Sequence, residues 1–287
     1  MRENTIICGD CLEVMKDWPD GCVDLVVTSP PYDDLRDYKG YSFDFEGIAQ
    51  QLYRITKDGG VVVWVVADKT VNGSETGTSF KQALYFMKIG FNLHDTMIYE
   101  KSGCSFPETN RYYPIAEYMF ILSKGTPKTI NLISDRINTY AGEYVARENA
   151  DRQKDGSLTP NTAYKNEYNK KVKQFGVRYN IWKYSVGKGN TTKDDVFAHP
   201  AIFPEKLAAD HILSWSNSGD IVLDPMSGSG TTVKMANLLG RRYIGIDISP
   251  EYCQIARDRL RAVDTGVPVK EARAGQGALF DDTREQQ

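Results

Sequence analysis

The chain has 287 residues and a mass of 32.3 kDa, which is enough for one large or two small domains with a hydrophobic core. An apolar fraction of 41% and a mean hydropathy of −0.45 exclude a mostly disordered chain and an integral membrane protein. The formal net charge of −3 excludes a uniformly basic nucleic-acid coat, although it leaves room for a local basic surface.

The N-terminus, the longest apolar run and the cysteines together predict a cytoplasmic protein. Acidic residues interrupt the N-terminus early, so we expect no secretory signal, and the apolar run 61–67 is too short to span a bilayer. Five cysteines, an odd number spread over a long chain, fit a reducing compartment better than a disulfide framework. Cys8 and Cys11 form a C-x-x-C pair without a second Cys or His pair, so we expect no metal site.

Short β-branched apolar runs alternate with helix-like stretches over the first 124 residues. The first three runs, at 5–8, 23–28 and 61–66, are continuous rather than alternating, as in strands that are buried on both faces of a parallel sheet. Gly59 and Gly60 are interpreted as the C-cap of the second helix, and Gly90 ends the third. The predicted strands are 5–8, 23–28, 61–66, 91–100 and 118–123, and the predicted helices are 12–18, 45–55 and 79–89.

Residues 125–198 differ in character, because they are polar and rich in Asn, Lys and Tyr. They hold 13 Lys and Arg against 8 Asp and Glu, a net charge of +5, whereas the rest of the chain carries −8. Interleaved cations and rings suit nucleic acid, but an insertion with a small core and a solvated surface explains the same composition. The aromatic residues among the bases are Tyr140, Tyr144, Tyr164, Tyr168, Phe175, Tyr179, Trp182 and Tyr184.

The alternation of helix and strand resumes from residue 201. We predict helices at 204–214, 231–239 and 250–261, the last with Ser249 as N-cap, and strands at 220–223 and 243–248. The whole pattern predicts an α/β, Rossmann-like doubly wound fold with a mostly parallel sheet and an inserted region. The predicted organisation is a first half at 1–124, the insertion at 125–198, a second half at 199–265 and a mobile tail at 266–287.

A glycine-rich turn follows the strand 220–223 and precedes a helix. Its close glycines let a ligand approach the backbone, and the helix N-terminus offers N–H groups to an anionic end. The turn is neither a P-loop nor a complete dinucleotide fingerprint, but Asp247 ends the next strand, where an acid accepts hydrogen bonds from ribose hydroxyls. We predict a nucleoside-bearing cofactor; a plain turn with a helix-capping Asp is the alternative. The turn comprises Asp224, Pro225, Met226, Ser227, Gly228, Ser229, Gly230, Thr231 and Thr232.

The second constellation, Ser29-Pro30-Pro31-Tyr32, directly follows the strand 23–28, at the sheet edge where ligands of open α/β folds bind. The prolines lock the backbone and lack N–H groups, which leaves a rigid row of acceptors: the Ser29 hydroxyl and nearby carbonyls. Such a row suits a substrate group that donates hydrogen bonds, such as an exocyclic amine, and Tyr32 offers its ring face to a planar substrate. The alternative is that the prolines only terminate the strand.

The two constellations, Ser-Pro-Pro-Tyr first and Asp-Pro-Met-Ser-Gly-Ser-Gly-Thr-Thr far downstream, resemble the β class of DNA amino-methyltransferases. The resemblance extends to about residue 262. It implies a class I methyltransferase fold, S-adenosyl-L-methionine as cofactor, and a target-recognition region at 125–198. Met226 is a departure, because the family usually has Phe there; Met is apolar and adaptable, so we expect the packing to survive.

The resemblance also assigns positions outside these two turns. Gly9-Asp10-Cys11 is similar to the family's adenine-contacting turn, residues 117–124 to its late sheet strand, and residues 199–207 to its helix entry beside the methionine moiety of the cofactor. The cofactor-binding residues that it adds are Asp10, Cys11, His199, Pro200, Phe203 and Lys206.

The implied reaction is methyl transfer to the exocyclic amine of a base that is flipped out of duplex DNA and stacks on Tyr32. Adenine-specific members mostly carry Asp or Asn before Pro-Pro-Tyr, so Ser29 favours N4 of cytosine, with N6 of adenine as the alternative. A non-catalytic nucleic-acid-binding module and an RNA methyltransferase are more distant alternatives.

Double-stranded DNA is the implied partner. The sequence leaves open whether the protein has a cognate restriction endonuclease, whether it forms a homodimer, and whether its origin is a host or a phage. We expect the DNA contacts on phosphates and guanines to come from basic side chains. The candidates are Arg36, Arg136, Arg147, Arg152, Lys165, Lys170, Lys171, Lys173 and Arg178.

Overall fold

The structure is a computed structural model that describes residues 1–31, 43–103, 109–144, 150–160, 170–186 and 204–270. Internal contacts divide the chain into two compact units. The first comprises Met1–Asn131 and Asn180–Gln287, and the second comprises Leu132–Tyr179. In the described ranges, no helix has the length and apolar character needed to cross a membrane.

The first unit is an α/β unit built on one eight-stranded sheet. Among the described residues, six helices pack on this sheet, β4 and β5 form a separate two-stranded ribbon, and β8–β11 belong to the second unit. In chain order the strands are β1 (Thr5–Cys8), β2 (Val23–Thr28), β3 (Thr56–Val66), β4 (Thr70–Val71), β5 (Ser74–Glu75), β6 (Asn92–Lys101), β7 (Ala116–Ser123), β8 (Arg136–Ile137), β9 (Ala150–Arg152), β10 (Leu158–Pro160), β11 (Phe175–Gly176), β12 (Ile181–Tyr184), β13 (Ile221–Asp224) and β14 (Arg242–Asp247). The helices are α1 (Cys11–Met15), α2 (Phe45–Ile55), α3 (Thr78–Lys88), α4 (Glu205–Trp215), α5 (Thr231–Leu238) and α6 (Pro250–Thr265).

The strand order of the large sheet is β1-β14-β13-β2-β3-β7-β6-β12, and every strand except β7 runs in the same direction. The continuous apolar runs of β2 and β3 are buried on both faces, as predicted, and each residue from Val61 to Val66 is at most 1% exposed. The same prediction is wrong for β1, because β1 lies at the edge of the sheet and leaves Cys8 exposed. Ile244 and Ile246 join the core beneath α1–α3, whereas Gly245 between them faces Val233 of α5. Because successive strand residues face opposite ways, the two helix layers cover opposite faces.

The strand β12 was not among the predicted strands. It pairs in parallel with β6 at the edge of the large sheet, from Ile181 beside Ile98 to Tyr184 beside Lys101. Trp182 and Tyr184 are each 6% exposed, so these two rings, which the sequence grouped with the interleaved aromatics, are core residues of the first unit. Trp182 stacks on His211 at 4.7 Å between ring centroids.

The prediction that Gly59 and Gly60 cap the second helix is wrong. The helix α2 ends at Ile55 with Thr56 as its C-cap, and both glycines lie inside β3, where its pairing with β2 is irregular. Gly59 has a φ of +80°, and a Cβ on Gly60 would lie 2.9 Å from the Asp24 carbonyl oxygen. Glycine is therefore required by a bulge in the strand rather than by a helix end.

The second unit, Leu132–Tyr179, contains two short antiparallel ribbons within its described residues. The strand β8 pairs with β11, and β9 pairs with β10. Several large side chains of this unit are exposed, including Ile137 on β8 and Tyr179 beyond β11. The unit therefore has a wet, aromatic surface and no extended apolar core among the residues described.

The sheet has a topological switch point between β2 and β13. The chain leaves β2 through α2 toward β3 on one side, and it leaves β13 through α5 toward β14 on the other. Ligands of open α/β sheets bind beyond the carboxyl ends of the strands at such a point. Both constellations predicted from the sequence begin at this edge, directly after β2 and β13.

Candidate functional site

Side chains join the two constellations across the switch point. The Thr28 hydroxyl donates to Asp224 Oδ1 at 2.8 Å, and the Thr232 hydroxyl donates to the Val27 carbonyl oxygen at 3.2 Å. Thr28 and Thr232 are each 1% exposed, so these bonds are shielded from water. The turn that begins at Ser29 and the glycine-rich turn are therefore held together as one structure.

Asp224 is a buried carboxyl group at the centre of this junction, and it also accepts a hydrogen bond from the Met226 amide at 3.2 Å. Burial raises the pKa of Asp224 to about 6, and the hydrogen bond from Thr28 opposes this rise. Thr28, which the sequence did not single out, is thus the main side-chain support of the charged carboxylate.

The raised pKa of Asp224 predicts a pH-dependent stability. Between pH 4 and pH 6 the Asp224 carboxyl group binds more protons in the folded state than in the unfolded state. The contribution of Asp224 to the free energy of unfolding therefore falls as the pH rises, by up to about 3 kcal/mol. An Asp224→Asn variant lacks this titration. Urea unfolding at pH 4.5, 5.5 and 7 measures the free energy of unfolding of the variant and the parent. We expect the variant to become more stable relative to the parent as the pH rises, and a difference that does not change with pH would contradict the raised pKa.

Asp247, at the end of β14, lies beside the glycine-rich turn and the predicted adenine-contacting turn. Its Oδ2 accepts a hydrogen bond from the Gly228 amide at 2.8 Å, and its Oδ1 accepts one from the Ser249 amide at 2.9 Å. Cys8 pairs with Asp247 in register, and the Gly9 amide donates to the Asp247 carbonyl oxygen at 2.9 Å. The glycine-rich turn and the Gly9 turn, which are distant in sequence, therefore meet at this residue, the first at its carboxylate and the second at its backbone carbonyl.

Asp10 caps α1, because its Oδ1 accepts a hydrogen bond from the Leu12 amide at 2.8 Å. The next residue, Cys11, has its pKa raised to about 12, mainly by burial and then by the Asp10 carboxylate. Burial also raises the pKa of Cys253 to about 12. Both thiols stay protonated near neutral pH, so neither has the thiolate character of a nucleophile.

Asp10, Asp224 and Asp247 give this edge of the sheet an acidic character. Among the described residues, none of these carboxyl groups pairs with a Lys, Arg or His side chain. Carboxylates without a cation, together with amides of a glycine-rich turn, suit a ligand that carries positive charge and hydroxyl groups. S-adenosyl-L-methionine has both, in its sulfonium, its ammonium and its ribose, so the residues present fit this cofactor.

Glycine is required at position 230 of the glycine-rich turn. Gly230 has a φ of +79° and stands directly before α5, and its amide donates to the Ser227 carbonyl oxygen at 2.7 Å. A Cβ built there would lie 2.6 Å from Ala256 Cβ and 3.0 Å from Ala256 Cα. The turn therefore packs directly on α6. Arg259 of α6, which sequence analysis did not identify, donates hydrogen bonds to Ser229 and Thr231 of this turn.

A cavity of about 360 Å³ opens beside Pro31 of the second constellation. Gln82, which is 4% exposed, lines it, and its Oε1 accepts a hydrogen bond from Trp64 Nε1 at 2.8 Å. Among the described residues, the Gln82 Nε2 hydrogens have no acceptor, which leaves this amide a donor for a ligand. The cavity is lined by Pro31, Phe43, Phe45, Glu46, Thr78, Lys81, Gln82 and Tyr85.

Of the predicted cofactor residues on α4, Lys206 is described, and its exposed ammonium pairs with both oxygens of Asp210 at 3.0 Å. Several other predicted site residues lie outside the described ranges. They are Tyr32, Arg36, Arg147, Lys165, His199, Pro200 and Phe203.

The basic candidates of the second unit fall into two groups. Arg178 forms an ion pair with Asp135, and Arg136 donates to the Val177 carbonyl oxygen and lies 4.5 Å from the centroid of the Tyr179 ring. These two guanidinium groups therefore help to hold the unit together. Exposed candidates are Arg152, Lys170, Lys171 and Lys173.

The comparisons with known proteins agree with this site. The family model of the N6 and N4 type, described as DNA methylase, matches residues 23–258. The chain therefore belongs to the N6/N4 DNA methylase family, and it is a DNA methyltransferase. The predicted family and the α/β fold class are confirmed.

Individual relatives cover most of the chain. The orphan methyltransferase M.BamHII of Bacillus amyloliquefaciens is 58% identical over 262 residues, which are 91% of this chain and 92% of that protein. PvuII DNA methyltransferase (cytosine-N4-specific) shares the fold, with a TM-score of 0.64 and 19% identity over 90% of this chain and 86% of that chain. A DNA modification methylase from Thermus thermophilus, complexed with S-adenosyl-L-methionine, has a TM-score of 0.59 and 26% identity over 89% and 92%. The predicted methyl donor matches the ligand of that complex.

Proposed function

We propose that the chain transfers a methyl group from S-adenosyl-L-methionine to N4 of cytosine in duplex DNA, at a specific site. The observation that carries this proposal is Ser29 at the end of β2, joined through Thr28 and Asp224 to the glycine-rich turn. The same chemistry on N6 of adenine is the alternative.

The cofactor is held by the turns that meet at Asp247. The Asp247 carboxylate accepts hydrogen bonds from the ribose hydroxyls. The Gly9-Asp10-Cys11 turn contacts the adenine, and the glycine-rich turn binds the methionine end. When bound, S-adenosyl-L-methionine supplies an electrophilic methyl group on a sulfonium. Catalysis by the protein then consists of positioning an amine against that group.

The acceptors of the second constellation, Ser29-Pro30-Pro31-Tyr32, prepare the amine. An exocyclic amine is a poor nucleophile, because its lone pair is conjugated with the ring. Hydrogen bonds from the amine to the Ser29 hydroxyl and the Pro30 carbonyl favour a pyramidal nitrogen with an available lone pair. The base is flipped at a cost of a few kcal/mol, stacks on Tyr32, and enters beside Pro31, where Gln82 donates to a ring acceptor. No covalent enzyme intermediate is required, which agrees with the protonated thiols.

The choice of cytosine rests on Ser29, since adenine-specific members mostly carry Asp or Asn at this position. The test is to incubate the protein and mixed-sequence duplex DNA with S-adenosyl-L-methionine, digest the DNA and separate the nucleosides against standards. We expect N4-methyldeoxycytidine. N6-methyldeoxyadenosine would support the alternative, methylation of adenine, over the proposal. Methylated nucleosides found only in RNA in a parallel reaction would refute both.

The second unit is proposed as the target-recognition region, and the exposed Lys171 and Lys173 as phosphate contacts. Each phosphate contact adds about 0.9 to the slope of log affinity against log salt, so Lys171→Ala with Lys173→Ala is expected to reduce that slope by about 2. Fluorescence anisotropy with a labelled duplex between 50 and 200 mM salt measures it.

The matched control is Lys16→Ala with Lys183→Ala in the first unit, where each ammonium pairs with a glutamate. This control removes the same charge from the chain. Equal slopes for the two double variants would mean that only net charge matters, and would remove these lysines from the proposed interface.

A further inference from the structure

Arg259 of α6 is a fully buried cation, with 0% of its surface exposed. Its Nη1 donates to the Ser229 carbonyl oxygen at 2.8 Å and to the Thr231 hydroxyl at 3.1 Å, and its Nη2 donates to Glu205 Oε1 at 2.7 Å. A buried charge is costly unless it is paired and hydrogen-bonded, and this guanidinium is both. The geometry uses the planar fork of arginine, because one nitrogen serves the turn while the other serves the carboxylate.

The bond to Ser229 acts on the backbone of the glycine-rich turn. The Ser229 carbonyl and the Gly230 amide belong to one peptide plane, and the amide donates to the Ser227 carbonyl oxygen at 2.7 Å. This plane is therefore held at its oxygen by Arg259 and at its nitrogen by Ser227. Since a peptide unit is rigid, the two bonds fix the orientation of the turn.

The bond to Glu205 connects this turn to the first turn of α4, within the segment 199–207 that resembles the cofactor-side helix entry. Glu205 Oε1 also accepts a hydrogen bond from Lys234 Nζ of α5 at 2.8 Å. The Lys234 ammonium therefore shares this carboxylate with Arg259 Nη2.

We propose that Arg259 is a positioning residue for the methyl-transfer reaction: it preorganises the glycine-rich turn for the cofactor and ties that turn to α4. This inference rests on the proposed role of the turn in binding S-adenosyl-L-methionine. Arg259 acts through Ser229, Thr231 and Glu205 rather than by touching the reacting atoms. Its loss should therefore weaken cofactor binding while leaving the chemical step and DNA binding intact.

The test compares Arg259→Lys with Lys234→Gln. Both variants disturb the ion pair at Glu205, but only the first removes the fork that reaches Ser229 and Thr231. For Arg259→Lys we expect the calorimetric Kd of S-adenosylhomocysteine and the KM of S-adenosyl-L-methionine to rise at least tenfold. The kcat at saturating cofactor and the Kd of DNA are expected to stay within twofold. For Lys234→Gln we expect a lower Tm with a cofactor Kd within twofold of the parent.

A merely structural role for Arg259 predicts that both variants lower the Tm and leave the cofactor Kd unchanged, and that result would overturn the proposal. Thr231→Val is a second variant in case Arg259→Lys does not fold, because it removes one acceptor of the guanidinium and no charge. It is expected to raise the cofactor Kd about threefold, and an unchanged Kd would also overturn the proposal. Failure of the proposed function is distinguishable, because the parent protein would then produce no methylated nucleoside.

Discussion

Replacing Gly230 by alanine is expected to raise the Kd of S-adenosyl-L-methionine at least a hundredfold. The added Cβ would lie 2.6 Å from Ala256 Cβ and 3.0 Å from Ala256 Cα, and the latter is backbone that cannot rotate away. The turn or α6 must therefore move. Either movement separates the Ser229 carbonyl from Arg259, which is held at 2.8 Å. The positive φ of +79° adds backbone strain of about 1 kcal/mol.

The matched control for this variant is Gly266→Ala. Gly266 has a φ of +71° at the C-cap of α6, and nothing lies within 4 Å of a Cβ built there. The Gly266→Ala variant therefore has the strain of an alanine with positive φ, but its Cβ meets no neighbouring atom. Calorimetric titration with S-adenosylhomocysteine should give the parent Kd for Gly266→Ala, with a stability loss of about 1 kcal/mol in urea. Equal Kd values for both alanine variants would mean that the packing of the turn on α6 does not govern cofactor binding.

The sequence was sufficient for those parts of the fold in which local pattern and burial agree. β1, β2 and α2 occupy the predicted residues, and Ser249 caps α6 as predicted. The strand β12 was missed because its four residues lie inside a polar segment. Its alternation was nevertheless present: Ile181 and Lys183 face out, whereas Trp182 and Tyr184 face in. Only the pairing with β6, a long-range contact, makes that short pattern a strand.

The site was predictable where a turn follows a strand, and was not predictable where the support comes from a distant helix. The glycine-rich turn and Asp247 were predictable from their positions after two strands, and the Gly228 amide joins them in the structure. Thr28 and Arg259 carry no such signal, since a threonine in an apolar strand and an arginine in an amphipathic helix are ordinary. Their roles follow from burial, because a buried hydroxyl or guanidinium must find partners and here finds them in the two turns.

Replacing Ser29 by alanine is expected to lower kcat about a hundredfold, the size typical of losing one preorganised hydrogen-bonding group. The change is local, because Thr28 stays anchored on Asp224 and the two prolines keep the backbone rigid. The proposed role of the hydroxyl is to prepare the amine for attack, so we expect the loss to fall on kcat, with the KM of S-adenosyl-L-methionine and the Kd of DNA within twofold of the parent. Single-turnover methylation of a labelled duplex measures the chemical step.

Ser123→Ala is the control, since it also removes a hydroxyl from a strand end of the same sheet. Ser123 Oγ donates to the Gly125 carbonyl oxygen at 2.8 Å, and β7 runs antiparallel, so this hydroxyl lies at the opposite edge from Ser29. Its kcat should match the parent. Tyr32→Ala, at a residue outside the described ranges, is expected to resemble Ser29→Ala, with low turnover and intact cofactor binding. If Ser29→Ala methylated DNA at nearly the parental rate, the Pro30 carbonyl alone would prepare the amine, and Ser29 would lose its place in the mechanism.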